Sequence, residues 1–75
     1  NRNSSLQALV LSVRQYGEDN RIVKFLSKEK GIFDAVLYGG PKSKLRAYVS
    51  PYHFGNLWIY TDETKHSIKI TDFEV

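Results

Sequence analysis

Residues 21–38 read Arg21-Ile22-Val23-Lys24-Phe25-Leu26-Ser27-Lys28-Glu29-Lys30-Gly31-Ile32-Phe33-Asp34-Ala35-Val36-Leu37-Tyr38, and the fold turns on whether they make a hairpin or begin with a helix. Ile22, Phe25, Leu26 and Glu29 fit helical spacing, so a helix over residues 19–30 is the competitor. The hairpin is favoured. Arg21–Ser27 and Ile32–Tyr38 are two strand-length runs rich in β-branched and aromatic residues, and the polar Lys28-Glu29-Lys30-Gly31 lies between them. Gly31 suits a left-handed turn position that a side chain would resist.

Upstream, Leu6, Ala8 and Val10 alternate with Gln7, Leu9 and Leu11 in a run that reaches Val13. The two-residue period predicts a strand partly buried on both faces. Tyr16-Gly17-Glu18-Asp19-Asn20 then reads as a turn, with Gly17 at a positive φ. Downstream, Gly39-Gly40-Pro41 ends the third strand, Lys42-Ser43-Lys44-Leu45-Arg46 continues as a basic loop, and a short turn or helix leads to Pro51. A second hairpin pairs Tyr52–Tyr60 with His66–Phe73 across Thr61–Lys65.

Three strands, an irregular connection and two more strands predict an all-β chain, a small five-stranded Greek-key barrel such as the OB-fold. An SH3-like barrel has nearly the same strand count. With 75 residues there is room for one domain and no second core. We see no internal repeat, linker or low-complexity stretch.

Net charge is +3, but it is unevenly spread. Residues 1–46 hold nine cations against four carboxylates, or +5, whereas residues 47–75 hold two against four, or −2. Such a gradient can concentrate a polyanion near the first half, although a solubility role would look the same. The absence of cysteine removes disulfides, thiol nucleophiles and thiolate metal sites, which fits a cell interior. No apolar run approaches the roughly 18 residues of a membrane span, and no leader pattern opens the chain. The expected localisation is cytoplasmic. Asn3-Ser4-Ser5 matches the glycosylation triplet, but nothing else points to secretion.

Catalytic constellations are missing. His53 and His66 are the only histidines, and neither has a second ligand at helical or hairpin spacing. None of the seven serines sits in a nucleophile elbow. Gly39-Gly40-Pro41-Lys42-Ser43 departs from a nucleotide-binding loop, because Pro41 precedes the lysine and the first glycine is absent at the required spacing. Glu18 and Asp19 read as turn residues rather than as an acid/base pair. The chain is therefore read as non-enzymatic, with no cofactor and no metal.

Two surface features remain. Lys42, Lys44 and Arg46 place three cations in five positions on a glycine-flanked loop, where a phosphate chain could approach, or where the loop is simply solvated. In the fourth strand, alternation sets Leu57 and Ile59 on one face and Phe54, Trp58 and Tyr60 on the other. Both faces cannot line one barrel, so the second face either packs on something outside this chain or is a binding surface.

Ala8-Leu9-Val10-Leu11, then Tyr16-Gly17-Glu18-Asp19-Asn20-Arg21-Ile22-Val23, then Lys30-Gly31, Ala35-Val36 and Gly39 resemble, in order and spacing, the start of RecO proteins. The match continues through Leu45, Pro51-Tyr52 and Leu57 to Tyr60. Two positions depart from the pattern: Tyr38 stands where the family usually has lysine, and Pro41 where a basic residue is common. The resemblance implies an N-terminal OB-fold domain spanning residues 1–75 of a longer protein. A helical region, often with a zinc site, would follow it in the whole protein. It further implies bacterial DNA repair after damage and DNA recombination. The implied activities are binding of single- and double-stranded DNA and single-stranded DNA annealing. Single-stranded-DNA-binding protein, RecR and RecA are the implied partners, at the nucleoid. Carried onto this sequence, the DNA-binding candidates are Lys42, Lys44 and Arg46, with Arg14, Arg21 and Lys24 on nearby strands. Tyr38, Trp58 and Tyr60 are candidates for stacking or for an interface. The rival reading is a protein-interaction barrel, SH3-like or RecR-docking, that uses the Trp58 and Tyr60 face.

Overall fold

The structure, a computed structural model, describes residues 2–39 and 44–75. Five strands, β1 (Arg2–Tyr16), β2 (Asn20–Ser27), β3 (Gly31–Leu37), β4 (Phe54–Asp62) and β5 (Ser67–Glu74), close into a barrel in the order β1-β2-β3-β5-β4. One helical turn, α1 (Leu45–Tyr48), lies between β3 and β4. All neighbours are antiparallel except β3 and β5. This is the OB-type barrel. The segment open to a helical reading is strand and turn, because Val23 and Phe25 alternate inward and a helix would expose one of them.

β1 starts at Arg2, four residues before the predicted run, because polar Arg2–Ser5 pairs with β4 through its backbone and needs no apolar period. The strand is long enough to serve two ladders. Arg2–Leu9 pairs with β4 and Ala8–Tyr16 with β2, so Ala8 and Leu9 are flanked on both sides. Between Val10 and Ser12 the register slips by one residue, leaving Leu11 as a bulge. Leu6, Ala8 and Val10 point inward before it, and Val13 faces buried Val23 after it. Without that extra residue the period would turn Ser12 and Arg14 into the core.

The core gathers Leu6, Ala8, Val10, Val23, Phe25, Ala35, Leu37, Val49, Leu57, Ile59, Ile70 and Phe73. Phe25 sits between two rings, 5.5 Å from Phe33 and 6.0 Å from Phe73 between centroids. α1 brings Val49 into this core and packs Leu45 against it. The segment after α1 is fastened to β1 opposite the bulge: the Tyr52 N–H donates to the Val10 carbonyl at 2.7 Å, and the Val10 N–H to the His53 carbonyl at 2.9 Å.

Two strand starts differ from the alternation pattern for one reason. Tyr52 and His66 hold φ values of 71° and 53°, so each belongs to a turn, and β4 and β5 begin later, at Phe54 and Ser67. Gly17 and Gly31 have φ of 70° and 69°, as the hairpin readings require. The β2–β3 turn also uses Ser27, whose buried hydroxyl accepts from the Lys30 N–H at 2.9 Å. Gly55 answers a different constraint. A Cβ there would collide with the Glu74 carbonyl and the Val75 Cα, both backbone.

Gly17→Ala and Gly31→Ala should each cost about 1 kcal/mol, since both sites have space for a methyl and only the backbone conformation resists it. Gly55→Ala should cost about 1–3 kcal/mol through overpacking. Urea midpoints check this, and an unchanged midpoint at Gly55 would mean that β5 does not press on it.

Candidate nucleic-acid interface

The β1–β2 turn, the ends of its two strands and the α1 segment enclose a cavity of about 500 Å³. Arg14, Arg21 and Arg46 all line it, one from each of β1, β2 and α1. Their convergence follows from the register. Arg14 is paired with Ile22 on the outer face, whereas Arg21 lies opposite Gln15 and Leu37 in the inward-facing row, where that row reaches the barrel mouth. Arg46 stands in the helical turn and is half-buried. Guanidinium groups offer planar donor forks that match phosphate oxygens bidentately. Glu18 and Asp19 share the rim, so the cavity carries three cations against two carboxylates.

The loop triad is divided by the fold. Lys42 lies outside the described residues. Lys44 is exposed but lines a separate groove with Asp72 and Glu74, whose charge opposes a phosphate there. Of the two described members, Arg46 joins the arginine cavity. Lys24 sits one row along the outer face from Arg14, between Ser12 and Asp34.

The aromatic candidates divide as well. Tyr38 is exposed, with the Lys69 Nζ 5.7 Å from its ring centroid, and the next residue, Gly39, donates its N–H to the Asn20 Oδ1 at 3.4 Å. Tyr60 is paired with Lys69 across β4 and β5. An outer belt therefore runs through Tyr60, Lys69, Val36, Ile22 and Arg14, with Tyr38 beside it. Trp58 is different: its cross-strand neighbour is Asp72, and it lines a shallow groove with Asn3, Ser4 and Ser5 that shares no residue with the arginine cavity.

Sequence reasoning missed Lys69 and Gln15. Lys69 lies in the acidic half of the chain, and only the single β3–β5 bridge reveals that it joins the basic face. Gln15 is drawn to the cavity wall by the bulge. Among the described residues no group of three or more His, Asp or Glu could hold a metal ion, and no helix is long and apolar enough to cross a membrane.

A five-stranded OB barrel with a guanidinium-lined mouth and an aromatic-cationic belt is the class of domain this chain forms. Comparison with known proteins gives the family: the model described as "Recombination protein O N terminal" matches residues 2–75, and the chain belongs to the RecO family. A protein named DNA repair protein RecO from Bartonella tribocorum is 38% identical over 48 residues, 64% of this chain and 19% of that protein. Its namesake from Heliobacterium modesticaldum is 36% identical over 64 residues, 83% of this chain and 23% of the relative. The chain thus spans about a fifth to a quarter of the length of these relatives.

Trp58 fluorescence should be quenched by acrylamide in the free chain and should stay so when an oligonucleotide is added. Protection of Trp58 by the oligonucleotide would shift the contact to the β4–β5 wall.

Proposed function

We propose that this chain is the DNA-binding module of a recombination mediator, holding single- and double-stranded DNA by its phosphates in DNA repair. The observation that carries the reading is the meeting of Arg14, Arg21 and Arg46 at one barrel mouth in a member of the RecO family. Strand annealing requires phosphates on two strands to be neutralised while base edges stay free to pair. Guanidinium forks at a barrel mouth meet that requirement without reading sequence. Lys24 and Lys69 extend the cationic track, and Tyr38 and Tyr60 offer faces on which an unpaired base can stack.

In this reading, single-stranded-DNA-binding protein, RecR and RecA are engaged by the whole protein in the bacterial cytoplasm, and this domain contributes its grip on DNA. No residue is assigned a catalytic role, since annealing needs charge neutralisation and no bond-making group.

Each phosphate neutralised on a single strand contributes about −0.7 to the slope of log affinity against log salt. The triple variant Arg14→Ala, Arg21→Ala, Arg46→Ala should therefore flatten that slope by roughly 2, to a similar degree for unrelated DNA sequences. Lys44→Ala should change it little, because acidic neighbours surround that lysine. Salt titrations with a labelled oligonucleotide check both. An unchanged slope in the folded triple variant would remove the arginine cavity as the DNA site.

A further inference from the structure

The barrel closes through a narrow seam. β3 is paired with β2 along its whole length, from Arg21↔Leu37 to Ser27↔Gly31, but with β5 at one position only, Val36↔Lys69. Gly31–Ala35 therefore has a strand partner on one side alone among the described residues. In an antiparallel ladder, alternate residues direct both N–H and C=O away from the existing partner, so this edge presents unused ladder groups.

Around Ile32 and Phe33 both faces of the edge are apolar. On the outside, Ile32 is 63% exposed and ends a cross-strand row that runs through Leu26 (42%) and Leu9 to Phe54 (55%). On the inside, Phe33 stacks on Phe25 yet stays half-buried. A groove of about 340 Å³ opens at the seam, lined by Phe33, Ala35, Val36 and Ile68 together with Asp34 and His66. Edge strands are ordinarily blunted by charged side chains, proline or a bulge, and of these Gly31–Leu37 carries a single charge, with no lysine, proline or bulge. Its one charge, Asp34, lies beside Lys24.

From this we infer that the β3 edge is a strand-addition site, which takes an extended polypeptide segment of another protein, apolar on both of its alternating faces. The unused ladder groups specify a peptide backbone, and Ile32 outside with Phe33 inside specify apolar side chains at successive positions. Nucleic acid is disfavoured, because Asp34 lines the groove and, among the described residues, no lysine or arginine does. In two of the registers open to it, a second copy of the chain fits poorly. Antiparallel β3–β3 pairing centred on Phe33 sets Asp34 against the copy's Ile32, and pairing centred on Asp34 sets two like charges face to face. The groove shares no lining residue with the arginine cavity, although Ile22 and Val36 of the outer belt line it.

The test uses the ¹⁵N-labelled 75-residue chain and a blocked peptide of alternating valine and leucine with two lysines at each end. Amide shifts confined to Gly31–Val36 and the groove are expected, with slowed hydrogen exchange at the outward amides. The same peptide N-methylated at every internal residue should bind at least tenfold more weakly, because its donors are gone. Ile32→Lys should weaken the unmethylated peptide by a similar factor while leaving the salt slope for oligonucleotide unchanged; circular dichroism verifies its fold. Equal binding of the methylated peptide, or no shift at millimolar peptide, would overturn the inference. So would edge amides already protected in a free chain that sediments as a dimer.

Discussion

Double pairing of β1 is the constraint on which the rest of the barrel depends. At Ala8 and Leu9 the strand is hydrogen-bonded to β4 on one flank and β2 on the other, so both halves of the molecule are referenced to these two residues. The bulge at Leu11 then resets which side chains face inward. It keeps Val13 with the core and leaves Arg14 outside, so the arginine cavity is a by-product of the device that lets one strand bend from one ladder into the next. Strand curvature and site chemistry share a cause.

The hairpin at residues 20–37 was legible because alternation, strand-length runs and Gly31 pointed the same way, and the second hairpin was legible on similar grounds. Two kinds of information were out of reach. Backbone pairing of polar Arg2–Ser5 leaves no trace in hydropathy, so the start of β1 was read late. Left-handed turns at Tyr52 and His66 fall on residues whose chemistry does not announce them, so two strand starts were read early. The family resemblance drew on the Tyr16–Val23 run, which the fold uses to build the turn bordering the cavity.

For the candidate site, the sequence supplied the cations but not their grouping. Lys44 and Arg46 are two residues apart and were read as one basic loop, yet the helical turn sends them to grooves of opposite electrostatic character. Arg14 and Arg21, minor candidates by spacing, meet because a hairpin brings its ends together. Local charge density in a sequence is a poor guide to charge density on a barrel, where neighbours in space come from ladders between distant segments. Trp58 and Tyr60 show the same effect, sharing a face while facing an acid and a cation respectively.

The long reach of β1 also bears on how the chain acquires its shape. Its first half must find β4, joining Arg2 to Thr61 near the opposite end of the chain, whereas β2, β3 and the β4–β5 hairpin form from near neighbours. Local hairpins can assemble early, but neither closes a core alone, because Phe25 comes from one and Phe73 from the other. Cooperativity is therefore enforced by geometry: the aromatic cluster forms when the two ends of the chain meet. High contact order of this kind places such a barrel among the slower-folding small domains.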